Sequence, residues 1–403
     1  MSEQALADLR IIECGHMVGA AYATKLMADL GADVIKIEPP RAGDRSRQRG
    51  PFPGGAAHPE KSGLFLYLNA NKRGVTLDLR QPRSREILAQ LVDGADLLVH
   101  NFPPPEMEPM GMNYDALSRR NSKLVMTSIT PFGLSGPHRD YQATDLTLWN
   151  AGGVAYLNGG GPGADALPPL KAFGQQSEFQ GGANAAIATL GALFARLSTG
   201  RGQHVSISIQ ECIAAILELT FEYFPYMGLV ASRLGQKPIQ PLDFLECRDG
   251  WIFLCCVEEH QWKTFVDLAG NPEWASLELF ENRLTRAANW DALKIFLQEL
   301  VKDYSVDELY HAGQARRVPL APVSTMADLL ASDHLKARGF FALIDHPEAG
   351  SRRYPGAPYQ FSVTPWAIRR PAPLLGQHND EVFRNELGLT AADLSAALAG
   401  GII

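Results

Sequence analysis

Before about residue 235 the apolar positions fall in short runs separated by helical patterns. LRIIEC reads as a strand and AYATKLMADLG as a helix closed by Gly31. ADVIKIE is a second strand, stopped by Pro39 and Pro40. GVTLDL is a third, ADLLVHNF a fourth and KLVMTSIT a fifth, with SREILAQLVDGA a helix among them. Short apolar strands alternating with helices predict a parallel sheet covered on both faces, a Rossmann-like α/β architecture. Ligands of such sheets bind beyond the carboxyl ends of the strands. That rule draws His16 and Met17, Asn101 and Phe102, and Thr130 to Gly133 around one crevice.

After about Gly235 the alternation stops. QPLDFLECRDGWIFLCCV predicts a hairpin turning at Arg248-Asp249-Gly250, followed by helices in HQWKTFVDLAG, NWDALKIFLQELVKDY and SVDELYHAGQ. This predicts a smaller α+β domain. The tail PAPLLGQHNDEVFRNELGLTAADLSAALAGGII is amphipathic, suited to return to the first domain or to reach another subunit.

Composition narrows the classes. A length of 403 residues predicts two domains, and 46% hydrophobic residues with net charge −7 describe a globular, mildly acidic protein. The basic residues of RAGDRSRQRG are local and lead into no nucleic-acid-binding motif. No apolar run approaches the ~20 residues of a membrane span. MSEQALADLR lacks a basic-then-apolar leader, which places the chain in the cytoplasm. The five cysteines, Cys14, Cys212, Cys247, Cys255 and Cys256, form no C-x-x-C spacing, so neither a metal site nor a redox pair is expected. The glycine run from Gly159 to Gly163 contains Pro162 and opens no helix, so it reads as a loop and not as a dinucleotide fingerprint.

The most informative stretch lies between Gln175 and Gln203. From Ala183 to Leu197 it is mostly small and aliphatic, which predicts a buried helix ended by Gly200 and Gly202. HVSISI then alternates like a strand. Glu178 stands at the helix entry, where unpaired backbone N–H groups favour an anion. Taken by itself it is a capping carboxylate.

LGADVIKIEPPRAGD, LNANKRGVTLDL, ADLLVHNFPP, STGRGQHVSISIQEC, PVSTMADLLASDHLKARGFF and PAPLLGQHNDEV resemble, in that order, the class III CoA-transferases. This is the formyl-CoA and crotonobetainyl-CoA transferase family, which also contains 2-methylacyl-CoA racemases. The resemblance implies a large domain built from both termini (residues 1–224 and 326–403) and a smaller domain of residues 225–325. It also implies an interlocked dimer, two chains threaded like rings. Coenzyme A enters as a substrate, in acyl-CoA form. In the family's chemistry an aspartate attacks the acyl-CoA thioester, giving a mixed anhydride and releasing the CoA thiolate. The thiolate returns to form an enzyme thioester, and the acceptor acid collects the CoA. Backbone N–H groups near the carboxylate stabilise the oxyanions.

Matched residue by residue, the resemblance puts His16, Met17 and Val18 on the turn that lines the CoA channel. Leu77 and Arg80 fall near the nucleotide, and Asn101 and Phe102 against the pantetheine. Two positions depart. Pro109 stands where the family has an arginine on the CoA phosphates, and proline supplies neither charge nor bidentate hydrogen bonds. Arg41, Arg45 and Arg47 are the candidates to compensate. Glu178 falls on the nucleophilic aspartate, lengthened by one methylene in chemistry where a ~1 Å misplacement can cost ~100-fold. Asp145 in ATDLTLW matches a position before the nucleophile and reads as structural or as a wall of the acyl pocket. Phe132, Trp149, Tyr156 and Phe173 are candidates to line an aromatic-friendly pocket, and each reads equally well as core.

Three functions compete on these residues. Placed first is one subunit of a heteromeric CoA-transferase whose sister chain carries the intact aspartate. The succinyl-CoA:(R)-benzylsuccinate CoA-transferases, which pair two related chains, are the example. In this reading succinyl-CoA is the donor, a carboxylic acid such as benzylsuccinate the acceptor, and this chain's own site is altered or silent. Second is a homodimeric transferase using Glu178, and third an acyl-CoA racemase, for which His138 in SGPHRDY would be the acid/base residue. A surface loop histidine is the plainer account of His138. A non-enzymatic CoA-binding role would need the site that Pro109 weakens.

Overall fold

A computed structural model describes residues 4–160, 164–234 and 239–403. Most of the Gly159–Gly163 run and the compositional boundary at Gly235 lie outside the described residues. The chain forms two units, Met1–Arg233 with Gly339–Ile403, and Leu234–Arg338.

The first unit begins with β1 (Arg10–Cys14), α1 (Gly19–Asp29), β2 (Asp33–Glu38), α2 (Gly63–Asn69), β3 (Arg73–Thr76), α3 (Pro82–Asp93) and β4 (Leu97–His100). Two short helices, α4 (Pro104–Met107) and α5 (Tyr114–Arg120), precede β5 (Val125–Thr130). Then come α6 (Asp145–Ala151), α7 (Gln176–Thr199), β6 (His204–Ser208), α8 (Ile209–Ala215) and α9 (Glu218–Met227). The six strands pair in parallel in the order β3-β2-β1-β4-β5-β6, so the direction of winding reverses between β1 and β4. Alternate strand residues feed opposite cores. Ile11, Val34, Leu97 and Val125 pack with α1 and α7, while Ile12, Ile35, Leu98 and Met126 pack with α3.

Helix α7 corrects one expectation. Its 24 residues are not buried all round. Ala185, Thr189 and Ala192 face the core, but Ile187, Phe194 and Leu197 are 71%, 76% and 80% exposed. They recur at helical spacing with Gly191, so small core-facing residues and large outward ones share one apolar sequence.

The second unit holds the hairpin β7 (Leu242–Cys247) and β8 (Gly250–Cys255), paired antiparallel with Cys247 opposite Gly250. Helices α10 (Glu259–Leu268), α11 (Arg283–Ala288), α12 (Trp290–Val301) and α13 (Val306–Ala315) follow. Ile252, Leu254, Trp262, Phe265, Leu293 and Leu297 form their common core. A third strand, β9 (Leu320–Pro322), pairs with β8, and α14 (Met326–Ala331) and α15 (Asp333–Ala337) close the unit. Its limits are therefore 234 and 338 and not 225 and 325: α9 is counted with the first unit, α14 and α15 with the second.

The chain then returns to the first unit. The hairpin β10 (Phe341–His346) and β11 (Gly350–Pro355) packs Ile344 and Tyr354 on Phe65 and Leu66 of α2. The tail closes the sheet edge. Gly74 N–H donates to His378 Nδ1 (3.1 Å), His378 N–H to the Gly74 carbonyl (2.9 Å), and Thr76 N–H to Asn379 Oδ1 (2.8 Å). Backbone groups of β3 that would template another strand are thereby satisfied. The chain ends in α16 (Ala391–Ala399). Among the described residues no helix is long and apolar enough to cross a membrane.

Candidate active site

The site grows from the β1–α1 turn at the winding reversal. A side chain at Gly15 would put its Cβ 2.2 Å from Asn101 Oδ1, so only glycine lets β1 and the end of β4 approach this closely. Asn101 uses that approach. Its Oδ1 accepts from His16 N–H (3.0 Å) and its Nδ2 donates to the His16 carbonyl (2.7 Å). Met17 then takes a left-handed backbone, φ 63°, at a cost of about 1 kcal/mol or more, and its N–H donates to Asp44 Oδ1 (3.0 Å). Turned this way, the first N–H groups of α1 face α7. Val18 N–H donates to Glu178 Oε2 at 2.9 Å. The two helices meet closely because Gly182 lacks a Cβ, which would come within 2.8 Å of the Gly19 carbonyl.

A buried charge network holds the turn from below. Lys36 Nζ lies 2.8 Å from Asp44 Oδ2 and 2.7 Å from Glu13 Oε1, and Glu13 Oε2 accepts from Lys72 Nζ and Thr24 Oγ1, each at 2.7 Å. All of these side chains are sealed from solvent. Burial alone would push the Glu13 carboxyl up, but Lys36 and Lys72 bring it down to about 2. The IKIEPPRAGD and NANKRG motifs are thus the scaffold of the Met17 turn.

Glu178 does not cap its own helix. Asp145 does that, accepting from Glu178 N–H (3.1 Å) while its second oxygen lies 2.7 Å from Lys171 Nζ. Glu178 instead caps α1, across the helix crossing. Burial drives its carboxyl up and Asp145 adds to this, while the Val18 and Gly19 N–H groups hold it down. The outcome is a pKa of about 7.

Two cavities lie at the strand ends, one of them bordered by the Glu178 carboxyl. One, of about 320 Å³, is lined by His16, Met17, Asn101, Phe102, Pro131 and Glu178, among others. The other, of about 350 Å³, brings Leu77 and Arg80 together with His16 and Phe102. Phe102 is held by its N–H bond to His100 Nδ1 (3.2 Å), and His100 Nε2 lies 2.7 Å from Ser128 Oγ, which also touches His204. Burial, with His204 nearby, lowers His100 to about 3, so it stays neutral at any working pH. Leu77 is core, whereas Arg80 is exposed and pairs with Asp78 at 2.8 Å.

Of the three arginines expected to compensate for Pro109, Arg47 is excluded. It is buried and bonded to Glu38 and Glu60 at 2.6–2.8 Å. Arg45 lines both cavities and has no ion pair among the described residues, which the sequence did not distinguish from its neighbours. Arg85, not singled out at all, donates to the Pro109 carbonyl at 3.4 Å, putting a cation beside that proline. His138 is exposed and stacks at 4.7 Å on Tyr141, which lines the Glu178 cavity, while His138 itself does not. Trp149 is core and Tyr156 is exposed; Phe173 lines a different cavity, with Gln175 and Phe179 of the α7 entry.

Comparison with known proteins agrees over the whole chain. The chain is 33% identical to the succinyl-CoA:(R)-benzylsuccinate CoA-transferase subunit BbsE of Thauera aromatica, over 99% of this chain and 98% of that one. It is 29% identical to the succinyl-CoA–L-malate CoA-transferase beta subunit of Chloroflexus aurantiacus, over 95% and 94%. A solved CAIB/BAIF family protein from Brucella suis superposes with TM-score 0.84 at 30% identity, covering 96% of this chain and 100% of that one. With the profile of CoA-transferase family III matching residues 6–379, the chain belongs to that family and is an enzyme of the CoA-transferase class.

Proposed function

We propose that this chain is one subunit of a heteromeric CoA-transferase that takes CoA from succinyl-CoA and gives it to a carboxylic acid such as benzylsuccinate. A related sister chain carries the attacking carboxylate, and Glu178 here is structural. The observation that carries this reading is the 2.9 Å bond from Val18 N–H to Glu178 Oε2. The longer side chain spends its oxygen on the helix N-terminus whose N–H groups would otherwise receive an oxyanion. A carboxyl with a pKa of about 7 is also about half protonated, hence half non-nucleophilic, at pH 7. In the same reading His16, Met17, Val18, Leu77, Arg80, Asn101 and Phe102 line the CoA channel, with Arg45 and Arg85 supplying the charge that Pro109 lacks.

Support for a partner comes from exposed apolar surface. Ile187, Phe194 and Leu197 on α7, and Phe221, Phe224 and Met227 on α9, are each more than half exposed in the single chain, as large apolar side chains awaiting a partner would be. The similar Thauera and Chloroflexus chains are themselves named as subunits. We assign the surface to an interlocked dimer with the sister chain.

A second reading keeps Glu178 as the nucleophile, because the carboxyl borders the cavity that holds His16 and Phe102. Glu178→Gln in the assembled protein separates the two. Near-unchanged kcat supports the structural role; a loss of several orders of magnitude, with hydroxylamine trapping of Glu178 during turnover, overturns it.

A further inference from the structure

His100 ends β4 and stands opposite Ser128 of β5, on the sheet face where Leu98 and Met126 are core. Both polar side chains are sealed from solvent. A buried imidazole in an apolar layer is costly unless its ring nitrogens are partnered, and here both are. Phe102 N–H donates to Nδ1 at 3.2 Å, so Nδ1 is bare and the ring proton sits on Nε2. Nε2–H then donates to Ser128 Oγ at 2.7 Å, and the Ser128 hydroxyl donates onward to His204 Nε2 at 2.8 Å. One backbone N–H thus orders every proton of the chain.

The residue held by this chain is Phe102. Asn101 and Phe102 lie beyond the end of β4, where no sheet ladder fixes the backbone. The Phe102 ring stacks on His100 with centroids 5.9 Å apart and planes at 23°, and the His16 ring stands across it at 6.4 Å and 79°. Phe102 also lines both strand-end cavities, so a shift of this one residue reshapes both. We infer that His100 is a positioning residue for coenzyme A. Its Nδ1 holds Phe102 where the pantetheine arm packs, and Ser128 keeps that nitrogen bare by taking the Nε2 proton. The inference rests on the reading of Phe102 as part of the CoA channel. Neither His100 nor Ser128 takes part in bond making or breaking.

Two substitutions that each imitate half of the imidazole test this. Asparagine places Oδ1 where His100 has Nδ1 and accepts readily from the N–H two residues on, whereas glutamine reaches toward Ser128 and leaves Phe102 N–H without its acceptor. CoA and adenosine 3′,5′-bisphosphate are titrated calorimetrically into the full-length protein, purified with whatever chain it assembles with, and urea unfolding checks each variant. His100→Gln should weaken CoA by about tenfold, the upper worth of one hydrogen bond, and leave the bisphosphate, which has no pantetheine arm, within about twofold. His100→Asn should stay within about twofold of the wild type for both ligands. Equal losses for CoA and the bisphosphate, or His100→Asn as weak for CoA as His100→Gln, overturn the inference, because a merely structural histidine gives those results. If His100→Gln does not fold, Ser128→Ala replaces it: the ring proton is then free to move to Nδ1, and CoA alone should weaken by about threefold or more. Unchanged CoA affinity in that variant overturns the inference. Phe102→Ala separates the inference from the reading beneath it. Unchanged CoA affinity there overturns the CoA-channel reading and the inference together, whereas a loss in Phe102→Ala with none in His100→Gln overturns the inference alone.

Discussion

Replacing Glu178 by glutamine should stabilise this protein increasingly from about pH 4.5 to about pH 7, and by a constant amount above that. The carboxyl ionises near 7 in the folded chain against an ordinary value of 4.5, because burial and Asp145 outweigh the N–H groups of Val18 and Gly19. A raised carboxyl pKa means the native state keeps a proton that the unfolded chain has already released. Stability from this group is therefore fully present below about pH 4.5 and is lost as pH rises through about 7. At about 1.4 kcal/mol per pH unit, the wild type forfeits about 3 kcal/mol by pH 8.5. Glutamine is neutral at every pH, and its amide oxygen still accepts from Val18 N–H, so it behaves like the protonated acid. Urea unfolding of wild type and Glu178→Gln, at one protein concentration and at pH 5 and pH 8.5, measures the difference directly. The variant should exceed the wild type by about 1 kcal/mol or less at pH 5 and by about 3 kcal/mol at pH 8.5. A variant less stable at pH 8.5, or a gap that does not change with pH, refutes the reasoning. Either would mean that the carboxylate is solvated or paired with a cation in the folded protein.

Three further outcomes follow from the same geometry. Lys36→Met should cost about 3–5 kcal/mol in urea unfolding, because it leaves Glu13 and Asp44 buried beside each other with one cation fewer. Gly15→Ala should fold but lower CoA affinity by about tenfold or more in calorimetry, since its Cβ displaces Asn101 from the His16 backbone; an unchanged affinity would separate the Asn101 clamp from CoA binding. Phe194→Asp, at a side chain largely exposed among the described residues, should leave the secondary structure intact by circular dichroism and shift sedimentation toward a smaller species. A stable monomer in the unsubstituted protein would remove the partner from the argument.

Much of the fold is legible in the chain because its signals are local. Runs such as RIIEC and DVIKIE, interrupted by helical patterns, determine a parallel sheet, and the Arg248-Asp249 turn determines a hairpin. The ordered motifs from LGADVIKIE to PAPLLGQHNDEV determine the family without any structure. The sequence also singles out Glu178, but only the tertiary structure decides what it touches. Local position makes it the cap of its own helix. Asp145, 33 residues earlier, takes that role, and the Gly182 crossing delivers Glu178 to α1. Apolar content likewise says that α7 is hydrophobic without saying which face is covered. The neighbours that cover its inner face are distant in sequence, while among the described residues Ile187, Phe194 and Leu197 stay largely exposed. The charges of Lys36, Glu13 and Lys72 read as ordinary polar positions until the sheet buries them together. The Arg352–Arg353 pair reaches the cavity beside Phe179 only because the chain returns to the first unit after residue 338. Periodicity and turn chemistry act over a few residues, whereas the helix crossing of Val18 and Glu178 joins residues 160 apart and the buried Lys72–Glu13 pair residues 59 apart. Those contacts exist only once the cores of the two sheet faces have formed.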